Sequence, residues 1–497
     1  IAYWVKFCFL SNVDKIFKQH IATIPCAGGF ECSFGFFYEK FYVWRCVHMM
    51  KTGLRKLGTQ TSSGARDYTL YRMLYPIVLE LIFAYICSSI NQMIINSFSS
   101  QAIAATTAVG TFSSLMLTTF AIFYAGQSIL LAPCWGRKEY AEGRQILTVG
   151  LIDNILLGLG LAVIWFCAGS FIMGLIHVPA DLWDMSGDYL SVALGLSVFQ
   201  GVTATFATAF RAIGKMKTAM AGSCLINGSW ILWEALILWL VPAGWQDIRH
   251  YALAAILAHI LGCAFYIHQA SRDENIRLKL LHSNWRASFG ATTRRIAHLG
   301  VFSGMESVIY VLSQTIVVSM IGTLGTQSLL VKGYTANLIN YIVLPASAIP
   351  IAASTLIGLS LGKRDEGQML RYFRQSFRLV CAATVLLEIA ALLFGRQFFG
   401  MYTSDPQLLD ACMVILKIEI AMELFRSIAA LLVACLKAIG DVRMPFFMVI
   451  LGSLINIGVS WLFGIKAGLG LPGIWIGYGA DLAFRGIWGL LLWRKHT

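Results

Sequence analysis

Charged side chains set inside long apolar runs are the residues of this 497-residue chain that could do chemistry. A charge held in hydrocarbon costs ~2.5 kcal/mol or more, so one that is present faces protein or a wet cavity. Glu80 and Glu306 stand at matching places in two such runs, each about one and a half to two turns from the same end. They are candidates for carrying a proton or touching a substrate cation. The same positions also suit a symmetric pair of structural acceptors capping neighbouring helix ends, and both readings stay open here. Another run carries Lys417, Glu419, Glu423 and Arg426, with Glu419, Glu423 and Arg426 on one helical face. That face is either an internal ion-pair network or the seat of a free carboxylate that can take up a proton or a cation. Asp481 and Arg485, one turn apart, read as a mutually neutralised pair. Asp153 and Glu388 have no partner in their own helices, so either could answer a cation across a bundle. Phe112, Tyr124, Tyr310 and Tyr341 are candidate faces for an organic cation, which the ring quadrupole attracts.

Other chemistries find little support. The 12 cysteines form no CxxC pair and lie mostly in apolar runs, and the 9 histidines show no ligand spacing, so no metal site is expected. No nucleophile, base and orienting group converge, so the chain does not read as an enzyme, and no cofactor is implied. Gly158 and Gly160 are helix-contact residues rather than a nucleotide loop. The net charge of +13 comes from short basic clusters between apolar runs, not from the continuous stripe that nucleic acid would need.

The elements that must position these residues are membrane helices. Hydrophobic residues make up 58% of the chain and charged ones 13%, and a bilayer core needs about 20 apolar residues per crossing. Apolar runs between punctuation predict spans over 74–97, 107–132, 146–174, 189–210, 218–241, 251–269, 299–321, 333–360, 375–399, 408–436, 445–466 and 472–493. Pro345 and Pro350 should kink the eighth. Basic residues crowd the loops after even-numbered spans, as at Arg137, Lys138 and Arg144, while the opposite loops carry only Arg249, Lys332, Arg396 and Lys466. Positive charge stays on the cytoplasmic side, which puts both termini there in a plasma (inner) membrane and the loop with Asp181, Asp184 and Asp188 outside. Residues 1–48, ahead of Met49 and Met50, hold no run long enough to span. They are expected to lie upstream of the native start, the alternative being an amphipathic leader.

The chain repeats itself at an offset of 226 residues. PIVLE ending at Glu80 meets FSGME ending at Glu306, WGRKE from Trp135 meets LGKRD from Leu361, and RAIG from Arg211 meets KAIG from Lys437, all without a gap. Each half holds six spans, so the two copies share one orientation and relate by an axis along the membrane normal. The expected fold is all-α integral membrane, with about 12 transmembrane helices as two six-helix bundles related by a pseudo-twofold axis. The expected organisation is an N-terminal segment 1–73, a bundle 74–269, a cytoplasmic connector 270–298 and a second bundle 299–497.

These motifs, with FRAIGKMKT after the fourth span, GTLGTQ at Gly322 to Gln327, TLIGLSLGKRDEG after the eighth and LKAIGDVRMP after the tenth, carry a family likeness over Leu70 to Trp493. The chain resembles the multidrug and toxic compound extrusion (MATE) family. The resemblance implies a secondary active antiporter, acting as a monomer, that exports small amphipathic organic cations against H+ or Na+. It also implies a cation site in the first half, where Glu234 stands at an acidic position and Asn91 where aspartate is common. Asn91 and Glu234 lie 17 and 16 residues into their spans, ~25 Å of rise each, and so can meet at one depth. Trp230 replaces an asparagine of the family pattern. With Asn91 it leaves few oxygen ligands for sodium, which favours coupling to protons. A flippase of lipid-linked sugars is the nearest rival and would want a basic cavity for diphosphate.

Overall fold

A computed structural model describes residues 69–98, 118–175, 182–242, 247–277 and 285–496. Phe112 and Asp181 lie outside the described residues, as do residues 1–48 and most of the N-terminal segment. Residues 68–497 form one compact unit.

Among the described residues the regular structure is wholly helical. The first half contains α1 (Thr69–Phe98), α2 (Ala121–Gly136), α3 (Tyr140–Leu175), α4 (Trp183–Gly195), α5 (Val198–Ala212), α6 (Met216–Leu240) and α7 (Ile248–Arg272). The second contains α8 (Trp285–Thr323), α9 (Thr326–Ile342), α10 (Leu344–Gly362), α11 (Glu366–Gly400), α12 (Pro406–Ala438), α13 (Arg443–Val459) and α14 (Gly470–His496). In hydrocarbon a backbone must satisfy its own hydrogen bonds, and the helix does so within each segment. Large apolar side chains such as Phe166, Phe171, Trp239 and Phe394 stand exposed, as a lipid-facing exterior requires. Every expected span has a helical counterpart, so the chain is an all-α integral membrane protein of two six-helix bundles.

Eight helices among the described residues are long and apolar enough to cross a membrane, or nine if α4 and α5, bent by 49°, count as one span. Of the rest, α2 is a helix of 16 residues that starts after its N-cap Phe120 and is too short to count. The others, α12 and α14, carry the intramembrane charges that dilute their apolarity.

Three local expectations change. The connector expected over 270–298 is helical from Trp285 onward, because Ile296 is buried and Thr292 and Thr293 hydrogen-bond to α3 through Gln145 and Asp153. The proline-bearing eighth span is interrupted at Val343 into α9 and α10, which together make one of the eight crossings over Gln327–Gly362, with Pro345 in the first turn of α10, where its missing N–H costs nothing. Lys332, expected in an outer loop, lies inside α9, which starts at Thr326 after the left-handed Gly325.

The repeat extends to backbone conformation. Lys138 and Arg364, 226 residues apart, both adopt left-handed φ values of 63° and 57°, costly for side chains with a Cβ. Gly214 and Gly440 match in the same way at 84° and 90°. The halves also touch through equivalent atoms. A Cβ on Gly136 would sit 2.3 Å from the Leu359 carbonyl oxygen, and one on Gly362 would sit 2.2 Å from that of Pro133. Pro133 and Leu359 are themselves repeat partners, so the contact is self-complementary, and the pseudo-twofold axis passes where α2 crosses α10. Leu70 and Ile77 of α1 join Ala348, Ala352 and Leu356 of α10 in a core shared by both halves.

Candidate functional site

In the first half, packing of α1 against α6 brings Asn91 and Glu234 together, and the Asn91 amide donates to Glu234 Oε1 at 2.5 Å. Glu234 is 1% exposed and its second oxygen has no hydrogen-bond partner. Trp230, one turn earlier, has its indole N–H beside this carboxylate but outside hydrogen-bond geometry. The site is a single buried carboxylate with one neutral ligand.

The matched glutamates are both ion-paired. Arg211 binds Glu80, and Lys437 lies 2.7 Å from Glu306. Arg211 and Lys437 are repeat partners that open RAIG and KAIG, so the whole ion pair has been duplicated with the bundle.

The second half contains a partly open cavity of about 340 Å³ between α8, α9, α12 and α14. Its walls are rich in charge, and nearly every charge is answered. Arg426 reaches Glu419 at 2.5 Å and Glu423 at 3.0 Å, so the charged face of α12 is an internal network. Asp481 receives two hydrogen bonds from Arg485, at 2.5 and 2.7 Å. This fork is accommodated because the facing residue is Gly452, whose Cβ would fall 2.0 Å from Asp481 Oδ1. Lys332 lines the same cavity, 5.9 Å from the ring centres of Trp475 and Tyr478.

Of the four aromatics picked from sequence, Tyr310 lines the cavity, with the Arg485 guanidinium 5.8 Å from its ring. Tyr341 instead packs edge-on to Phe398 of α11. Tyr124 is half-buried on α2, and Phe112 is outside the described residues. Asp153 accepts a hydrogen bond from Thr293 at 3.0 Å, and Glu388 is buried in α11. Sequence reasoning missed Lys332, Trp475 and Tyr478. The last two had a readable signal, since Trp475, Tyr478, Asp481 and Arg485 recur at helical spacing on one face of α14. Cys134, Glu139 and Glu142 bring ligand atoms within 4.8 Å of one another, but Arg137 and Arg295 already neutralise the two carboxylates.

A duplicated helical bundle with buried acids near the helix interfaces and a charged cavity inside one half is the build of a membrane transporter. The family description MatE matches residues 76–228 and again 303–462, once in each half, and the chain belongs to this family, the MATE transporters. It is 23% identical to the uncharacterized transporter YisQ of Bacillus subtilis, over 90% of this chain and 98% of that one. It is also 23% identical to the probable multidrug resistance protein NorM of Thermotoga maritima, over 65% of this chain and 70% of the relative. Among solved structures, an outward-facing multidrug resistance MATE transporter of the MOP superfamily superposes with a TM-score of 0.79 at 16% identity, covering 86% of this chain and 95% of its own. A Pyrococcus furiosus MOP-superfamily transporter, described as having a binding pocket of reversed polarity, gives 0.78 at 16% identity, with coverage of 86% and 95%. At these identities the structures establish the shared fold.

Proposed function

We propose that the protein is a secondary active antiporter that exports small amphipathic organic cations from the cytoplasm or inner leaflet, with H+ rather than Na+ as the returning ion. It works as a monomer in the plasma (inner) membrane with both termini cytoplasmic. The observation that carries the reading is Glu234: a carboxylate 1% exposed in the C-terminal half of α6, with one neutral amide on it. A sodium ion asks for several oxygen ligands in a cage. A lone buried carboxylate asks only for a proton.

Glu234 is the proton carrier of the first half and Asn91 its positioning partner. In the second half Glu419 and Glu423, though paired with Arg426, are the coupling acids and take a proton in place of that partner, and Tyr310 offers an aromatic face to substrate. Glu80 and Glu306, each held by a basic residue, act in the cycle by exchanging that partner for a proton or a substrate cation. Drug and proton can drive exchange only by preferring different states or by competing for these acids. The flippase reading is disfavoured because the guanidinium groups of the cavity are spent on carboxylates and leave no basic ring for a diphosphate.

The test is efflux of ethidium, a fluorescent organic cation, by purified protein in vesicles, with proton and sodium gradients imposed separately. Efflux under the proton gradient alone is expected. Efflux under sodium alone would overturn the choice of ion, and none under either gradient would overturn the antiporter.

A further inference from the structure

The joint between α11 and α12 contains polar groups that the reading above leaves unused. These helices follow one another through a short connection and pack antiparallel. Their register is marked by Thr384 and Ser427, both fully buried, whose hydroxyl oxygens are 2.8 Å apart. One turn closer to the connection stand Glu388, four residues after Thr384, and Glu423, four residues before Ser427. In an antiparallel pair both steps move the same way along the joint, so the two carboxylates face each other across it. Glu388 is 8% exposed and Glu423 1%, and each has an Oε1 without a hydrogen-bond partner.

The charges around them do not balance. On α12, Arg426 is shared between Glu419 and Glu423. From α9, the Lys332 ammonium acts on the Glu419 side. On α14, Asp481 and Arg485 cancel, and the phenols of Tyr478 and, from α8, Tyr310 lie near Arg426. The facing helix α10 has no ionisable side chain, α13 has only Arg443 at its first residue, and α1 meets α11 far away near Tyr372. On α11 itself the nearest ionisable neighbour is Cys381. Among the described residues the only charged group that bears on Glu388 is Glu423. Glu388, Glu419 and Glu423 are thus met by Arg426 and Lys332, one positive charge too few. The hydroxyls of Thr384 and Ser427 are spent on each other, which leaves too few oxygens to cage a metal ion.

We propose that Glu388 and Glu423 form an acid pair that holds one exchangeable proton between them, a second coupling site in the C-terminal half. A proton on one carboxyl becomes an O–H that donates to the other carboxylate. Its release breaks only that O–H bond and returns the proton to water. Loss of the proton leaves a net negative charge behind Arg426 at the cavity wall, which draws in a cationic substrate, and return of the proton expels it. The proposal rests on the proton antiport reading for its role in transport, but the acid pair can be tested without transport.

The experiment is infrared difference spectroscopy of the purified full-length chain between acid and alkaline pH, without substrate, alongside ethidium efflux in vesicles. Wild type is expected to show a protonated carboxyl band that Glu388→Gln removes, with loss of proton-driven efflux. Glu423→Gln should remove the same band, because two carboxyls share one proton, and Glu388→Asp should keep it at a shifted position. A band and proton uptake unchanged by Glu388→Gln would overturn the proposal, as would separate bands lost in the two glutamine variants. Displacement of the band by sodium would overturn it too, in favour of a sodium site. An intact acid-pair band in a protein that moves ethidium under neither gradient would refute the antiporter and leave the pair standing.

Discussion

At the scale of single residues, most intramembrane charges are defined by an opposite charge. Arg211 and Lys437 occupy equivalent positions and hold equivalent glutamates, so the site tolerates either cation. Arg211→Ala strands a buried carboxylate, and breaking such a pair costs ~3–5 kcal/mol. A marked fall in the melting temperature of the purified protein is expected, whereas Arg211→Lys and Lys437→Arg should melt close to wild type. Glu234→Gln removes the charge but still accepts from Asn91. Proton-driven ethidium efflux is therefore expected to vanish with melting temperature unchanged. Retained efflux would remove Glu234 from the coupling machinery.

At the scale of elements, the crossing of α2 and α10 depends on having no side chain at two points. In an ordinary helix interior Gly→Ala gains ~1 kcal/mol. Gly160 of α3 should behave in that way, since nothing lies within 4 Å of its added Cβ. Gly136→Ala and Gly362→Ala drive a Cβ into a backbone carbonyl of the opposite half, at 2.3 and 2.2 Å. Both are expected to lower the melting temperature and slow efflux, and equal behaviour of all three alanine variants would show that the crossing accommodates the added methyl groups. The same crossing explains why the halves form one compact unit despite their separate origins in sequence.

At the scale of the whole molecule, duplication supplied two bundles that have since parted in chemistry. In the first half the buried Glu234 is met by the Asn91 amide, while the second has a charged cavity with Glu419 and Arg426 on its wall. Orientation follows from the basic loops. A protease site appended after Thr497 is expected to be cut in inverted membrane vesicles and protected in right-side-out ones, and the reverse result would invert the topology.

The membrane class, the helix count and the duplication were readable from the sequence alone, because hydropathy and repeated motifs are properties of position along the chain. So were the Asp481–Arg485 pair and the network of Glu419, Glu423 and Arg426, whose members share a helix and meet by its period. The depth match of Asn91 and Glu234 was readable too, since rise per residue is constant. Contacts between helices were decided only by the tertiary structure. Glu80 finds Arg211 across 131 residues, Thr384 meets Ser427 across 43, and Lys332 enters a cavity instead of a loop. Which faces of apolar helices meet depends on how each rotates about its own axis. Helices apolar on most sides carry no periodic signal of that rotation, so small residues such as Gly136 and Gly362 set it through contacts that exist only after folding.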